Sequence, residues 1–178
     1  MNKLIISLFM LVSVAQAETV MKTSLNHREK PDFTDYQETV FSGEIRIPKE
    51  FTVDKDGIWR DSAGKIISMP SINFSGKYFL STHSCGAGCR YYQLTDLTTG
   101  NSIPIMHMFA STDPPAKTSD GYQYTTILFY RPESSMLVAQ YEIQKKETLE
   151  CRERLFVLKE MKLKQITETR RYCNNWRL

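Results

Sequence analysis

His83 and Cys85 stand two residues apart. On an extended strand that spacing projects both side chains from one face, as a Cys–His nucleophile pair requires. Cys89 is an equally near partner for Cys85, and the intervening Gly86-Ala87-Gly88 supplies the glycines of a tight turn. In an oxidising compartment the disulfide is the default for such a pair, so no catalytic role is assigned to it. The spacing also lacks the two-residue separation and the βαβ surroundings of thioredoxin-like redox motifs. Met106-His107-Met108 offers thioether and imidazole groups, which select copper(I). Strand alternation separates His107 from both methionines and turns Met106 and Met108 together towards a core, so no metal and no other cofactor is assigned. Asp54 and Asp56, with Lys55 and Gly57, have the composition of a turn rather than of an acid/base pair. His27 has no partner nearby. The chain contains no GxGxxG, P-loop, zinc-finger spacing or GxSxG. No catalytic residue is identified.

Recognition is the chemistry left. Nine Tyr, nine Phe and two Trp supply both a core and a contact surface, and Trp59, Tyr91, Tyr92, Tyr122 and Trp176 are the aromatic candidates for anchoring a protein partner. His83 joins them through its place beside the cysteine loop. The segment 145–171 holds nine Lys or Arg against five Glu, a local excess that suits an acidic partner or an ordinary solvated face.

These groups are carried on a chain that reads as exported. Lys3, the apolar run Leu4 to Val12 and the small-x-small site Ala15-Gln16-Ala17 form a secretory signal peptide, residues 1–17. Its apolar run is far shorter than the ~20 residues of a membrane span, and no later stretch is long or apolar enough, so no membrane span is expected. The formal charge of +3 falls to +2 once Lys3 leaves with the leader. With export, that near-balance argues against nucleic acid as a partner. The expected location is periplasmic or secreted, where Cys85, Cys89, Cys151 and Cys173 form two disulfides. The short glycine-rich loop pairs Cys85 with Cys89 and leaves Cys151 for Cys173.

The organisation is a polar lead over 18–30 and a single β-rich domain over 31–178. Ile45 and Ile47 alternate with polar neighbours before Pro48, an edge strand. Asp54 to Gly57 and Asp61 to Lys65 are turns. In the strand Lys77 to His83, Tyr78, Leu80 and Thr82 face one way and Phe79, Ser81 and His83 the other. Arg90 to Thr95 pairs with it as a hairpin closed by the cysteine loop. Ile103 to Phe109 is a short strand, Ser111 to Gly121 a loop long enough to line a binding surface, and Tyr122 to Tyr130 a strand. Arg131 to Ser135 turns into a strand over 136–143. The stretch 147–171 carries both strand and helix propensity and is assigned two strands broken near Lys159 to Lys162. The fold class is all-β, mainly antiparallel, as a sandwich or propeller-like sheets with a short terminal helix allowed.

Asn73-Phe74-Ser75-Gly76-Lys77-Tyr78-Phe79-Leu80, then Cys85-Gly86-Ala87-Gly88-Cys89 and Asp96-Leu97-Thr98-Thr99-Gly100, resemble a family of exported bacterial β-rich proteins with the pattern G-x-Y-x-L, C-G-x-G-C, D-x-x-T-G. Arg131 to Val138 resembles the next strand of that family. Here His83-Ser84 replaces the usual tryptophan before the cysteine loop. The resemblance implies β-rich structure like single pieces of propeller sheets. Related small exported proteins serve as immunity partners of wall-degrading toxins, so it also implies inhibition by analogy. The expectation is therefore a non-enzymatic binding protein of the cell envelope, an inhibitor or immunity protein neutralising a toxic enzyme. The alternative is a periplasmic ligand- or metal-binding protein using His83 or the Met106 to Met108 stretch, and a hydrolase ranks third.

Overall fold

The computed structural model describes residues 30–176 except Gly88 and Asp113. The signal peptide and all but the last residue of the lead lie outside the described residues. The chain divides after Asp32, and Lys30–Asp32, the described part of the first unit, has no regular structure. The unit from Phe33 onward holds every strand among the described residues.

Among the described residues nine strands form three antiparallel sheets. A two-stranded ribbon pairs β1 (Thr52–Val53) with β2 (Trp59–Arg60). A three-stranded meander runs β3 (Tyr78–Gly86), β4 (Cys89–Asp96), β5 (Asn101–Ile103). A four-stranded meander runs β6 (Tyr124–Arg131), β7 (Ser134–Gln144), β8 (Leu149–Lys159), β9 (Lys162–Gln165). The fold is all-β. Among the described residues the only helical turns are 3₁₀, at Phe33–Tyr36 and His107–Phe109. The tail resolves to strand, and its break at Glu160 and Met161 is a two-residue turn with both φ positive, the twist that suits a tight hairpin.

Strand alternation explains the layering. Tyr78, Leu80, Tyr92 and Leu94 of the meander meet Leu128, Leu137, Ala139 and Phe156 of the four-stranded sheet in the central core. Tyr92 Oη donates to the Thr126 carbonyl (2.8 Å) and Tyr130 Oη to that of Leu80 (3.3 Å), so two tyrosines bond across the core. The opposite face of β3 turns Phe79 into a second cluster with Phe51, Ile67 and Leu97. The opposite face of β7 and β8 turns Met136, Val138 and Leu155 onto Phe33 and Trp176. Both large sheets are thus covered on both sides. That is why Ser134 to Gln140 is buried without a break, where one-sided burial would alternate.

The C-terminal cover is sewn to β8. Glu153 and Arg170 exchange backbone hydrogen bonds at 3.0 and 2.9 Å, Cys151 is joined to Cys173, and Trp176 packs edge-on against Phe33 at 5.4 Å. Cys85 is joined to Cys89, so the two pairings expected from loop length are the two observed.

Two expected strands are absent. Ile103 to Phe109 stops being a strand at Ile103, because Pro104 has no N–H to donate to a ladder, and His107–Phe109 winds into the 3₁₀ turn. Ile45 to Ile47 forms no ladder either. It is an arm held by single bonds, including Arg46 N to the Leu97 carbonyl at 2.7 Å.

Candidate functional site

The β3–β4 hairpin gathers most of the expected site residues. Its register pairs Tyr78 with Asp96, Thr82 with Tyr92 and His83 with Tyr91, and it shifts between Ser84 and Gly86 to form a bulge at the tip. Gly86 supplies φ +134° there, a conformation that side chains rarely adopt. Ser84, Cys85, Gly86 and Ala87 are exposed, as is Arg90 on the returning strand. The tip is closed by the Cys85–Cys89 bridge, whose Cα atoms are 5.1 Å apart. At its base Arg90 and Ser111 exchange backbone hydrogen bonds at 3.0 and 2.8 Å.

Beneath the tip lies an arrangement that sequence spacing did not bring together. Ser81 Oγ is 2.7 Å from His83 Nε2, and His83 Nδ1 is 2.8 Å from Asp61 Oδ2. Ser81 and His83 share a face because they are two apart on β3, while Asp61 arrives from the turn after β2. The other oxygen of Asp61 accepts the N–H groups of Ala63 and Lys65 at 3.0 and 2.9 Å, fixing that turn. Burial pushes the Asp61 carboxyl up, but the His83 bond and the two N–H groups outweigh it and hold the group below its ordinary value. An ionised carboxylate only accepts, so Nδ1 carries a proton and Nε2 is left to meet the Ser81 hydroxyl. That order of contacts is the order of a Ser–His–Asp hydrolase.

All three side chains are buried. Ser81 is 0% exposed, His83 1% and Asp61 5%. Tyr91 stacks flat on His83, with centroids 4.8 Å apart and planes at 10°, and Phe51 lies 5.9 Å from it on a tilted plane. As it stands, the trio fastens the Asp61 turn to the three-stranded sheet through three satisfied polar groups.

The other expected residues are dispersed. Tyr92 is buried in the central core, so neither it nor His83 presents a surface. The cause is the two-sided cover of the sheet. Tyr91 is half-buried, and burial followed by the charge of Asp61 pushes its phenol up. Trp59 is in β2 rather than a loop and packs half-buried against the Phe51, Ile67 and Phe79 cluster. Trp176 is buried in the core. Tyr122 lies apart, half-buried, with Lys145 Nζ over its ring, 5.5 Å from the centroid. Met106 is 1% and Met108 58% exposed, because the 3₁₀ turn replaces the strand that would have put them on one face. Among the described residues no three His, Cys, Asp or Glu side chains come together to hold a metal. Among the same residues no helix is long and apolar enough to cross a membrane.

Ser81 and Asp61 were the missed members of the buried trio. Ser81 shares a strand face with His83, so half of it was readable, whereas the approach of Asp61 depends on tertiary packing. Comparisons with known proteins add no assignment: no family model, no curated protein and no solved structure matches the chain.

Proposed function

We propose that the protein is a non-catalytic, exported binding protein of the cell envelope, periplasmic or secreted, which inhibits a toxic enzyme in the manner of an immunity protein. The observation that carries this reading is the β3–β4 tip, where exposed Ser84, Gly86 and Ala87 are closed off by the Cys85–Cys89 bridge. A loop fixed before contact loses little conformational entropy on binding, which is the advantage of a pre-organised inhibitor. Here the Cys85–Cys89 bridge closes the loop, and the His83–Tyr91 stack with the Asp61 bond anchors its base. The chemical groups that would suggest hydrolysis are used to support the tip. In this reading Ser84, Ala87 and Arg90 make the contact, with the exposed edge of Tyr91 behind them.

The test is affinity capture from envelope extracts with the oxidised protein, followed by assay of the captured enzyme. The comparison protein carries Ser84→Asp and Ala87→Arg, both at exposed positions where substitution leaves stability nearly unchanged. The wild type is expected to retain one enzyme and to suppress its activity, and the variant to need at least 100-fold more protein for the same suppression. Equal inhibition by the two proteins, or no enzyme retained by the wild type, contradicts the reading.

A further inference from the structure

At one end of the four-stranded sheet lies a cleft of about 280 Å³. Its position follows from the register. Tyr141 pairs with Arg152, Ala139 with Arg154, and Tyr124 with Ile143, so the tyrosines, Ile143 and both arginines project from the core-facing side of the sheet. Further along that side the same rows continue as Leu128, Leu137 and Phe156, covered by the three-stranded meander. Lys117, Thr118 and Ser119, from the loop before β6, and Thr169 complete the lining.

The three cations in this cleft are not equivalent. Arg152 is engaged, with Nε 2.6 Å from Glu150 Oε1 and Nη2 3.8 Å from Asp120 Oδ2. Arg154 and Lys117 have no carboxylate within ion-pair distance among the described residues. Arg154 is nevertheless held in place. Its Nε donates to Thr169 Oγ1 at 2.8 Å, and its guanidinium carbon lies 5.4 Å from the Tyr141 ring centroid. Arg154 also hydrogen-bonds to the Tyr141 phenol, opposing the rise that burial imposes on it, and the guanidinium N–H groups left over line the cleft, where a planar donor set suits an oxyanion. The apolar part of the lining is Ile143 with the edge-to-face rings of Tyr124 and Tyr141, centroids 5.6 Å apart, beside the polar Thr118, Ser119 and Thr169.

We propose that this cleft binds a small organic oxyanion, a carboxylate or phosphate ester on a compact apolar body, with Arg154 and Lys117 on the anion and Ile143 and the tyrosines on the body. A bare ion would leave the apolar part of the lining unused. The volume lies just below the range of small-molecule sites, which limits the body to about the size of one ring. The site is separate from the hairpin tip and does not depend on the inhibitor reading. It also gives part of the loop Ser111 to Gly121 the binding role expected from its length, through Lys117.

The experiment is a ¹H–¹⁵N NMR titration of the oxidised protein with four probes: benzoate, phenyl phosphate, inorganic phosphate and neutral benzamide. Benzoate or phenyl phosphate is expected to shift the amides around Arg154, Tyr141 and Lys117, with affinity at least tenfold above inorganic phosphate and no binding of benzamide. The tighter of the two organic anions identifies the headgroup. Arg154→Gln is expected to weaken that binding at least tenfold, and Lys117→Gln, an exposed change that leaves the fold intact, by about threefold. No shifts in the cleft with either organic anion overturns the proposal. So does equal affinity for inorganic phosphate, or binding that survives both substitutions in a protein whose spectrum is otherwise unchanged.

Discussion

Asp61 and Glu153 are both carboxylates removed from water, and they fasten opposite outer layers of the molecule. Asp61 ties the turn after β2 to the three-stranded sheet through one histidine and two N–H groups of its own turn. Glu153, 0% exposed, ties the C-terminal cover to the four-stranded sheet through five donors from four residues. Its Oε2 accepts from Gln140 Nε2 (2.9 Å), Asn174 N (3.0 Å) and Trp176 Nε1 (2.7 Å), and its Oε1 from Asn174 Nδ2 (2.8 Å) and Arg170 Nη1 (3.3 Å). The difference lies in where the donors come from. Two of the three bonds to Asp61 are local and would survive detachment of the turn from the sheet, whereas four of the five to Glu153 come from the segment 170–176 and vanish if that segment detaches. A buried charge supported from a distance holds a fold together more strongly than one supported by its own loop.

The largest effect is therefore expected at Glu153. Glu153→Ala removes the shared acceptor of an arginine, an indole N–H and three amide N–H groups, and should cost about 3–5 kcal/mol, the usual loss when one partner of a buried charged network is removed. Urea denaturation with the slope held constant measures it; a loss below 1 kcal/mol would remove Glu153 from its place in the comparison. Next comes the cross-link in the same cover. The 22-residue separation of Cys151 and Cys173 corresponds to about 3.4 kcal/mol of loop entropy, against about 2 kcal/mol for the 4-residue Cys85–Cys89 loop. The double serine variants should separate in melting temperature in that order. A reversed order would mean that the hairpin bridge contributes more than its loop entropy.

On the other side, Asp61→Asn keeps an oxygen for the Ala63 and Lys65 N–H groups while weakening the bond to His83, so a loss of about 1–2 kcal/mol is expected. The same denaturation experiment checks it, and a loss equal to that of Glu153→Ala would erase the contrast between local and distant donors. The smallest effect is the pH dependence. Burial pushes the Glu153 carboxyl up, but its bonds from Trp176, Gln140 and Asn174 bring it below its ordinary value, the same direction as Asp61. In the unfolded chain these groups take up protons near their ordinary values of 4.5 and 3.8. Below those values the unfolded state binds more protons than the native one, so stability is full above about pH 5 and falls as the solution is acidified. Urea midpoints between pH 7 and pH 3 should drop in the wild type and drop less in Glu153→Gln. Identical slopes would contradict the assignment.

The legible parts of the fold were those set by local chemistry. Alternation placed Tyr78 and Leu80 opposite Phe79, Ser81 and His83, and these residues do enter different layers. The turns at Asp54 and Asp61 were readable because each aspartate caps its own loop, with Asp54 Oδ1 accepting Asp56 N and Ile58 N. What failed was long-range or depended on a single backbone group. Pro104 ends β5 where apolar composition alone continued it, and Met108 is exposed as a result. Tyr92 looked like a surface aromatic only because the cover over its sheet is built from strands more than thirty residues away, with Thr126 accepting its hydroxyl. Glu153 had no sequence signal, since its donors at Gln140, Arg170, Asn174 and Trp176 are gathered by pairing of β7 with β8 and by the returning tail.

Under the proposed function, Ser81, His83 and Asp61 fasten the base of a binding tip and do not react with substrate. Incubation of the native, oxidised protein with a serine-reactive fluorophosphonate, followed by intact-mass measurement, tests this directly. The expected result is a single species at the unmodified mass, identical for wild type and Ser81→Ala. A stoichiometric adduct in the wild type that is absent from Ser81→Ala would show that Ser81 is both reachable and activated, and would contradict the account.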